Sequence, residues 1–280
     1  MLRSIPNSAM RIEPITEATQ QATLEYLARS PYLNVFITHI LLHELSPAVR
    51  KNVVVISDRG TVVGAAYLGR QIVIAAEPVA VRPLAAFLTR HRNPRMIIGP
   101  REVVGPFWEL VKVRYGRPRL LRHRQLVMMV DRSRLVSGDG RVTVRNANPD
   151  EWRAVADGSA AMIAHELEYD PRRDSPSFDA GVREMIERKL WWVGVWHEQL
   201  CFFCNVGPWS DRTAQIQGIW TPEAHRGRGL ATASLSGICD RLLLMSPTLS
   251  LYVNDFNEEA IALYHRVGFE HVGDFQTILF

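Results

Sequence analysis

The chain has 280 residues, 47% hydrophobic and 22% charged, an ordinary globular composition with room for two domains of about 140 residues each. Its net charge of +4 suits an anionic small ligand but is too weak over this length to imply nucleic acid. Three cysteines exclude a disulfide framework and fit a reducing compartment, and no low-complexity run argues for disorder.

Met10–Thr16 reads as a short strand and Glu17–Arg29 as a helix, with Thr16 as its N-cap. An apolar helical stretch follows at Asn34–Leu45, closed by Ser46–Pro47. Three β-branched runs come next, at Asn52–Ser57, Thr61–Leu68 and Gln71–Ala76. The turn Asp58–Arg59–Gly60 makes the first two a hairpin. Helices at Val81–His91 and Val104–Tyr115 flank a short strand at Met96–Ile98, and a strand at Leu120–Val130 ends this half. Asp131–Gly140 is poor in apolar residues and reads as a linker, dividing the chain into domains 1–137 and 138–280.

The order then restarts. Arg141–Asn146 is a strand, Pro149 and Asp150 open a helix to Glu168, and a polar loop spans Asp170–Ser177. Phe178–Lys189 is a helix, followed by strands at Leu190–Trp196, Leu200–Val206 and Thr213–Trp220. The tail alternates: helix Leu230–Met245, strand Leu249–Val253, helix Glu258–Arg266, strand Glu270–Leu279. The halves share an element order without a residue-level repeat, so a duplicated fold is expected.

The chemistry concentrates in Gln215–Ala231, QIQGIWTPEAHRGRGLA. An apolar strand runs through Thr221–Pro222 into Arg226–Gly227–Arg228–Gly229–Leu230–Ala231 and at once into a helix with Leu235, Ile238, Leu242 and Met245 on one stripe. A Gly-rich turn at a helix start presents unpaired N–H groups to an anion, and the helix dipole adds to the attraction. Glycine permits both the backbone angles and the close approach, and two arginines add charge. The Gly spacing is not that of a dinucleotide fingerprint, and the GK[ST] of a P-loop is missing. Taken alone, the turn reads equally well as a solvated corner.

The residues beyond that helix decide between the two. They run LSLYVN, then Asp255–Phe256–Asn257, then EEAIALYHRVGFEHVGDF. The R-x-x-G-x-A turn (Arg226, Gly229, Ala231), the strand ending in Asn254, Asn257 ahead of Ala260, Leu263 and Tyr264, and Gly268–Phe269 together resemble the GNAT superfamily of acyl-CoA N-acyltransferases. Ile219–Pro222 resembles its V-Y-T-P variant. The resemblance covers about residues 141–280, most specifically the last 65 or so. More narrowly, the chain resembles a bacterial family in which a less characterised GNAT-like domain precedes a GNAT domain. Glu77–Leu84, the nearest counterpart of the turn in the first half, holds no glycine, so that half is expected to be a degenerate copy without its own catalysis.

The resemblance implies an α+β architecture of tandem GNAT-like folds, each a mixed, mainly antiparallel sheet flanked by helices. It implies acetyl-CoA as acyl donor, held by Arg226, Gly227, Arg228, Gly229, Leu230, Ala231 and Thr232 at the pyrophosphate, with Ile219 and Thr221 along the pantetheine arm. One N–H of that strand would polarise the thioester carbonyl. Tyr264 would protonate the departing thiolate; read without the motif it is a core tyrosine. Asn254 and Asn257 are further cofactor candidates, though Asn257 reads equally as a helix N-cap.

The base stays open among Glu166, Glu168, His165, Glu223 and a water chain. Cys201 and Cys204, three apart in a strand, should point to opposite faces as core residues, and no metal site is expected. Arg117–Arg124 reads as a strand with one solvated face, while Trp191, Trp192 and Trp196 read as core or as lining of the acceptor pocket. The expected acceptor is a primary amine of a small molecule or peptide, with no nucleic-acid or membrane partner and a homodimer allowed for. The alternatives are a non-catalytic acyl-CoA sensor and, less favoured, transfer from aminoacyl-tRNA. No basic-then-apolar leader opens the sequence and no run reaches the ~18 apolar residues of a membrane span, so a cytoplasmic location is expected.

Overall fold

The computed structural model describes residues 10–88 and 94–280. In chain order the first elements are β1 (Met10–Pro14), α1 (Glu17–Leu27), α2 (Pro31–His39), α3 (Pro47–Arg50), β2 (Val53–Asp58), β3 (Thr61–Leu68), β4 (Gln71–Ala76), α4 (Val81–Phe87), β5 (Met96–Pro100), α5 (Arg101–Tyr115) and β6 (Leu120–Asp131). Then come β7 (Thr143–Asn146), α6 (Trp152–Leu167), α7 (Pro171–Asp174), α8 (Phe178–Glu187), β8 (Trp191–Trp196), β9 (Gln199–Trp209), β10 (Ala214–Trp220), α9 (Leu230–Leu242), β11 (Thr248–Asn254), α10 (Glu258–Val267) and β12 (Glu270–Leu279). The expected elements are present with two differences in the second half: the short helix α7 forms within the stretch read as a polar loop, and α9 stops at Leu242, leaving Met245 exposed beyond the buried stripe. Of the helix read as Val81–His91, residues 89–91 lie outside the described residues.

Caps explain several boundaries. Thr16 starts α1 with a reciprocal pair: its hydroxyl accepts from Thr19 N–H at 3.3 Å and Thr19 Oγ1 accepts from Thr16 N–H at 3.0 Å. Ser46–Pro47 does not merely close a helix. α2 runs on into a π-helical turn at Ile40–Glu44, and Ser46 Oγ then caps α3 by accepting from Val49 N–H at 3.3 Å, with Pro47 in the first helical turn. Ahead of α6, Glu151 accepts from Asn148 N–H at 2.7 Å and takes both Arg145 guanidinium nitrogens at 2.7 Å each.

The chain divides into two units, one ending at Val127 but also containing Gly273–Phe280, the other Met128–Val272. In the first, the strand order is β1-β2-β3-β4-β5-β12-β6. β1 to β4 pair antiparallel, β5 joins β4 in parallel, and β12 pairs antiparallel with β5 from Phe275↔Pro100 to Leu279↔Met96. α5 lays Val103, Val104, Phe107, Trp108 and Val111, one stripe of helical spacing, against Ile74, Ile97 and Ile278. Phe107 is fully buried, so truncating it to alanine would cost about 3–5 kcal/mol.

In the second unit the order is β6-β11-β10-β9-β8-β7. The strands are antiparallel from β7 to β10 and parallel between β10 and β11. On one face α6 and α8 close a core of Val155, Val182, Ile186, Trp191, Val193 and Phe203. On the other lies α9, whose Ser234 leaves no room for a side chain at Gly194 of β8.

That face holds a correction. Cys201 and Cys204 do not point to opposite faces. A register shift between Gly194 and Val195 puts an extra residue into β9, and Cys201 Sγ comes within 4.0 Å of Ser234 Oγ on α9. Cys204 pairs with Trp192, on the Gly194 side, so both thiols face α9. With Cys239 of α9 they are buried thiols, their pKa values raised by burial.

Candidate functional site

The site forms where two parallel strands separate. β10 and β11 are in register only at Ala214↔Leu249 and Gln215↔Ser250. Beyond that, β10 bends away: its pairing with β9 slips between Gln217 and Trp220, with Gly218 at φ +61° in the slip. A side chain there would come within 2.7 Å of Asn205 Oδ1, so glycine is required on two counts. The backbone of β10 from Ile216 to Trp220, including Ile219, is thereby released from β11.

In the first unit the corresponding pair stays together. A Cβ at Gly99 of β5 would collide with the Ile74 carbonyl of β4, so the two backbones touch. The connection from β4 to α4 is a 3-10 turn at Pro78–Ala80 without glycine.

Past β10, Thr221 and Pro222 lead through a 3-10 turn at Glu223–His225 into the glycine turn. Gly227 has φ +70° with open space at its Cβ position. Gly229, at φ +73°, is the N-cap of α9 and offers no side-chain cap to the first-turn N–H groups of Leu230, Ala231 and Thr232. The arginine heads are parked beside the turn. Arg226 Nε donates to the Thr221 carbonyl at 3.0 Å and its guanidinium lies 4.5 Å over the Trp220 ring. Arg228 lies 5.6 Å over Trp196. Arg141, unnoticed in the sequence, donates to the Arg228 carbonyl at 3.3 Å and flanks Gly229. His225 is 9% exposed with Nδ1 buried and without a hydrogen-bond partner. Uncapped N–H groups, the open position at Gly227, the Arg141 guanidinium against Gly229 and an orphaned imidazole nitrogen together fit a polar, anionic ligand.

Tyr264, on α10, is 6% exposed, its ring 6.0 Å from that of Phe269. Burial, the charge of Glu166 and the neighbouring Cys204 hold its hydroxyl pKa well above the ordinary phenol value, so it is neutral at physiological pH. α10 is fixed at both ends. Asn257 Oδ1 accepts from Ala260 N–H at 3.2 Å as its N-cap. At the other end Gly268, at φ +105°, donates to the Tyr264 carbonyl at 3.1 Å. Asn254 closes β11, buried, its carbonyl accepting from Asn257 N–H at 3.0 Å.

Of the base candidates, Glu166 is the one whose charge reaches Tyr264 and Tyr252. His165 lies with its ring 6.0 Å from Trp220, Glu168 is the left-handed C-cap of α6, and Glu223 is exposed in its turn. Trp191 is core, 3% exposed, whereas Trp196 sits beside the turn. Gly218 is not among the residues singled out from the sequence, although a lone glycine inside a strand pattern is the usual sign of a bulge. Among the described residues no group of His, Cys, Asp and Glu could hold a metal ion, and no helix is long and apolar enough to cross a membrane.

Comparison with known proteins agrees with this geometry. Residues 160–269 match the family described as acetyltransferase (GNAT) family, and residues 52–155 match a domain of unknown function, DUF4081. No curated protein matches the chain. Among solved structures, a Drosophila protein is similar with TM-score 0.68 at 11% identity, over 96% of this chain and 98% of that one. A GCN5-related N-acetyltransferase from Sphaerobacter thermophilus is similar with TM-score 0.61 at 16% identity, over 98% and 96% of the two chains. A tandem GNAT protein from the clavulanic acid biosynthesis pathway is similar with TM-score 0.55 at 15% identity, over 96% and 98%. At such identities these likenesses concern the fold: two GNAT-like units in tandem.

Proposed function

From a C-terminal half that carries a GNAT-family acetyltransferase domain at residues 160–269, we propose that the chain transfers an acetyl group from acetyl-CoA to a primary amine. The observation that carries the reading is the parting of β10 from β11 beside the uncapped, glycine-lined start of α9. It supports a pantetheine arm along the freed edge of β10 at Ile219 and Thr221. The pyrophosphate would then lie on the main-chain N–H groups from Arg226 to Thr232, with Asn254 and Asn257 bordering the arm.

The residues divide the work among them. An N–H of β10 polarises the acyl carbonyl. As the amine nitrogen bonds to the acyl carbon and the carbon–sulfur bond breaks, the neutral Tyr264 hydroxyl gives its proton to sulfur, and the proton then shed by the nitrogen restores the phenol and leaves the neutral amide. The ammonium acceptor must first lose a proton, and our candidate for taking it is Glu166, the base candidate whose charge acts on Tyr264. We assign this chemistry to residues 138–280, with residues 1–137 a non-catalytic copy.

The test is calorimetric titration of acetyl-CoA into the wild type and into Gly229→Glu, followed by an amine screen for turnover. One site per chain, lost in the variant, is expected. Two sites would contradict the degenerate first half, and no binding would overturn the reading. Binding without turnover of any amine would leave a cofactor-binding module.

A further inference from the structure

The modest net charge conceals a concentrated one. Between Pro78 and Val130 the sequence carries eleven Lys and Arg against two Asp and Glu, leaving the rest of the chain net acidic. The fold of the first unit gathers part of this charge in one place. Strands β4, β5 and β6 all start at the same end of its sheet, and each is entered from an arginine: Arg70 before β4, Arg95 before β5, Arg117 and Arg119 before β6.

Backbone hydrogen bonds tie these positions together. Arg95 N–H donates to the Arg70 carbonyl at 2.9 Å. The Arg95 carbonyl accepts from Phe280 N–H at 3.0 Å, and Arg119 N–H donates to the Leu279 carbonyl at 2.7 Å. The order β4-β5-β12-β6 therefore sets the arginines in a row about 14 Å long, three inter-strand spacings. All four are exposed, and Gly69–Arg70, Pro94–Arg95 and Gly116–Arg119 contain no acidic residue. Among the described residues Arg70, Arg95 and Arg117 take part in no ion pair.

We propose that this row is a docking surface for the phosphate backbone of single-stranded nucleic acid. Arginine forks match phosphate oxygens two at a time, and every member of the row is arginine rather than lysine. A row of charge along one end of a sheet suits a polymer with regularly repeated phosphates better than a single anion. A lipid surface is less well matched, because the described residues 69–70, 94–95 and 116–119 include no large exposed apolar side chain for insertion, the nearby Val113 of α5 being a single valine. The surface is independent of the acyltransfer reading, since none of its residues belongs to that site.

The test uses the full chain and a fluorescein-labelled, mixed-sequence single-stranded RNA, followed by anisotropy from 50 to about 200 mM salt. Saturable binding that weakens steeply with salt is expected. Replacing Arg70, Arg95, Arg117 and Arg119 together by Gln should weaken it at least tenfold and flatten the log–log salt slope by about 0.7 for each phosphate no longer neutralised. Arg59→Gln, at the opposite end of the same sheet, should change neither. Acetyl-CoA titration of the fourfold variant checks that it is folded, with circular dichroism as a second check that needs no ligand. Absence of RNA binding at low salt would overturn the proposal. So would an equal loss in Arg59→Gln, equally tight binding of polyglutamate of matched charge, or binding of phosphatidylserine vesicles in place of RNA.

Discussion

Glu166, in the last turn of α6, lies close enough to Tyr264 on α10 for its carboxylate to raise the tyrosine's pKa, second only to burial. In the proposed mechanism Glu166 is the proton acceptor and Tyr264 the proton donor. Each half of that arrangement can be tested separately.

Removing the Tyr264 hydroxyl should spare cofactor binding and slow the chemistry. Tyr264→Phe keeps the ring that packs near Phe269, so the fold is retained. General acid catalysis contributes typically 10²–10⁴-fold, and kcat should fall by about 10²-fold or more with little change in the KM for acetyl-CoA. Steady-state kinetics on the amine found by the screen checks this. Unchanged kcat would return Tyr264 to the core.

Glu166→Gln should act on the pH profile. Loss of the base should lower kcat/KM about tenfold or more at neutral pH and alter the acidic limb. Loss of the negative charge should also lower the Tyr264 pKa, since that charge raises it. An unaltered profile would transfer the role of base to a water chain or another group.

Alkaline pH should destabilise both units. Tyr26 is pushed up to about 12 by burial and by Glu77, against an opposing effect of Arg29, and Tyr264 is raised further. A raised folded-state pKa gives stability that is complete below the unfolded value of about 10 and is lost as pH climbs through the folded values. Ultraviolet titration should show these two phenols ionising only as the protein unfolds, above about pH 10. Ionisation of all tyrosines near pH 10 in a still-folded chain would contradict the burial argument.

Gly268→Ala should destabilise the second unit without touching the cofactor turn. Its φ of +105° suits glycine, and a Cβ would collide with the Arg134 carbonyl. Strain of this kind costs about 1–3 kcal/mol, which thermal denaturation would register as a lower Tm.

Much of this was legible in the residues themselves. Local spacing places the helix α5, the Thr16 cap and the glycine turn ahead of α9, because helix period, capping and left-handed backbone angles are short-range properties. Asn257 was open between cofactor contact and N-cap, and the cap is observed. Cys201 shows where spacing fails: a period of two assumes an unbroken ladder, and the register shift opposite it depends on how β8 meets β9.

The elements, the family resemblance and the turn can be read from residue order alone. The parting of β10 from β11, the effect of the Glu166 charge on Tyr264 and the place of Gly273–Phe280 in the first unit belong to the folded chain. It also lined up arginines that a net charge of +4 had averaged away. The physical reason is common to all of these. Strand register and strand order join residues far apart in the chain, and such pairings are fixed by the packing of whole layers rather than by any local pattern.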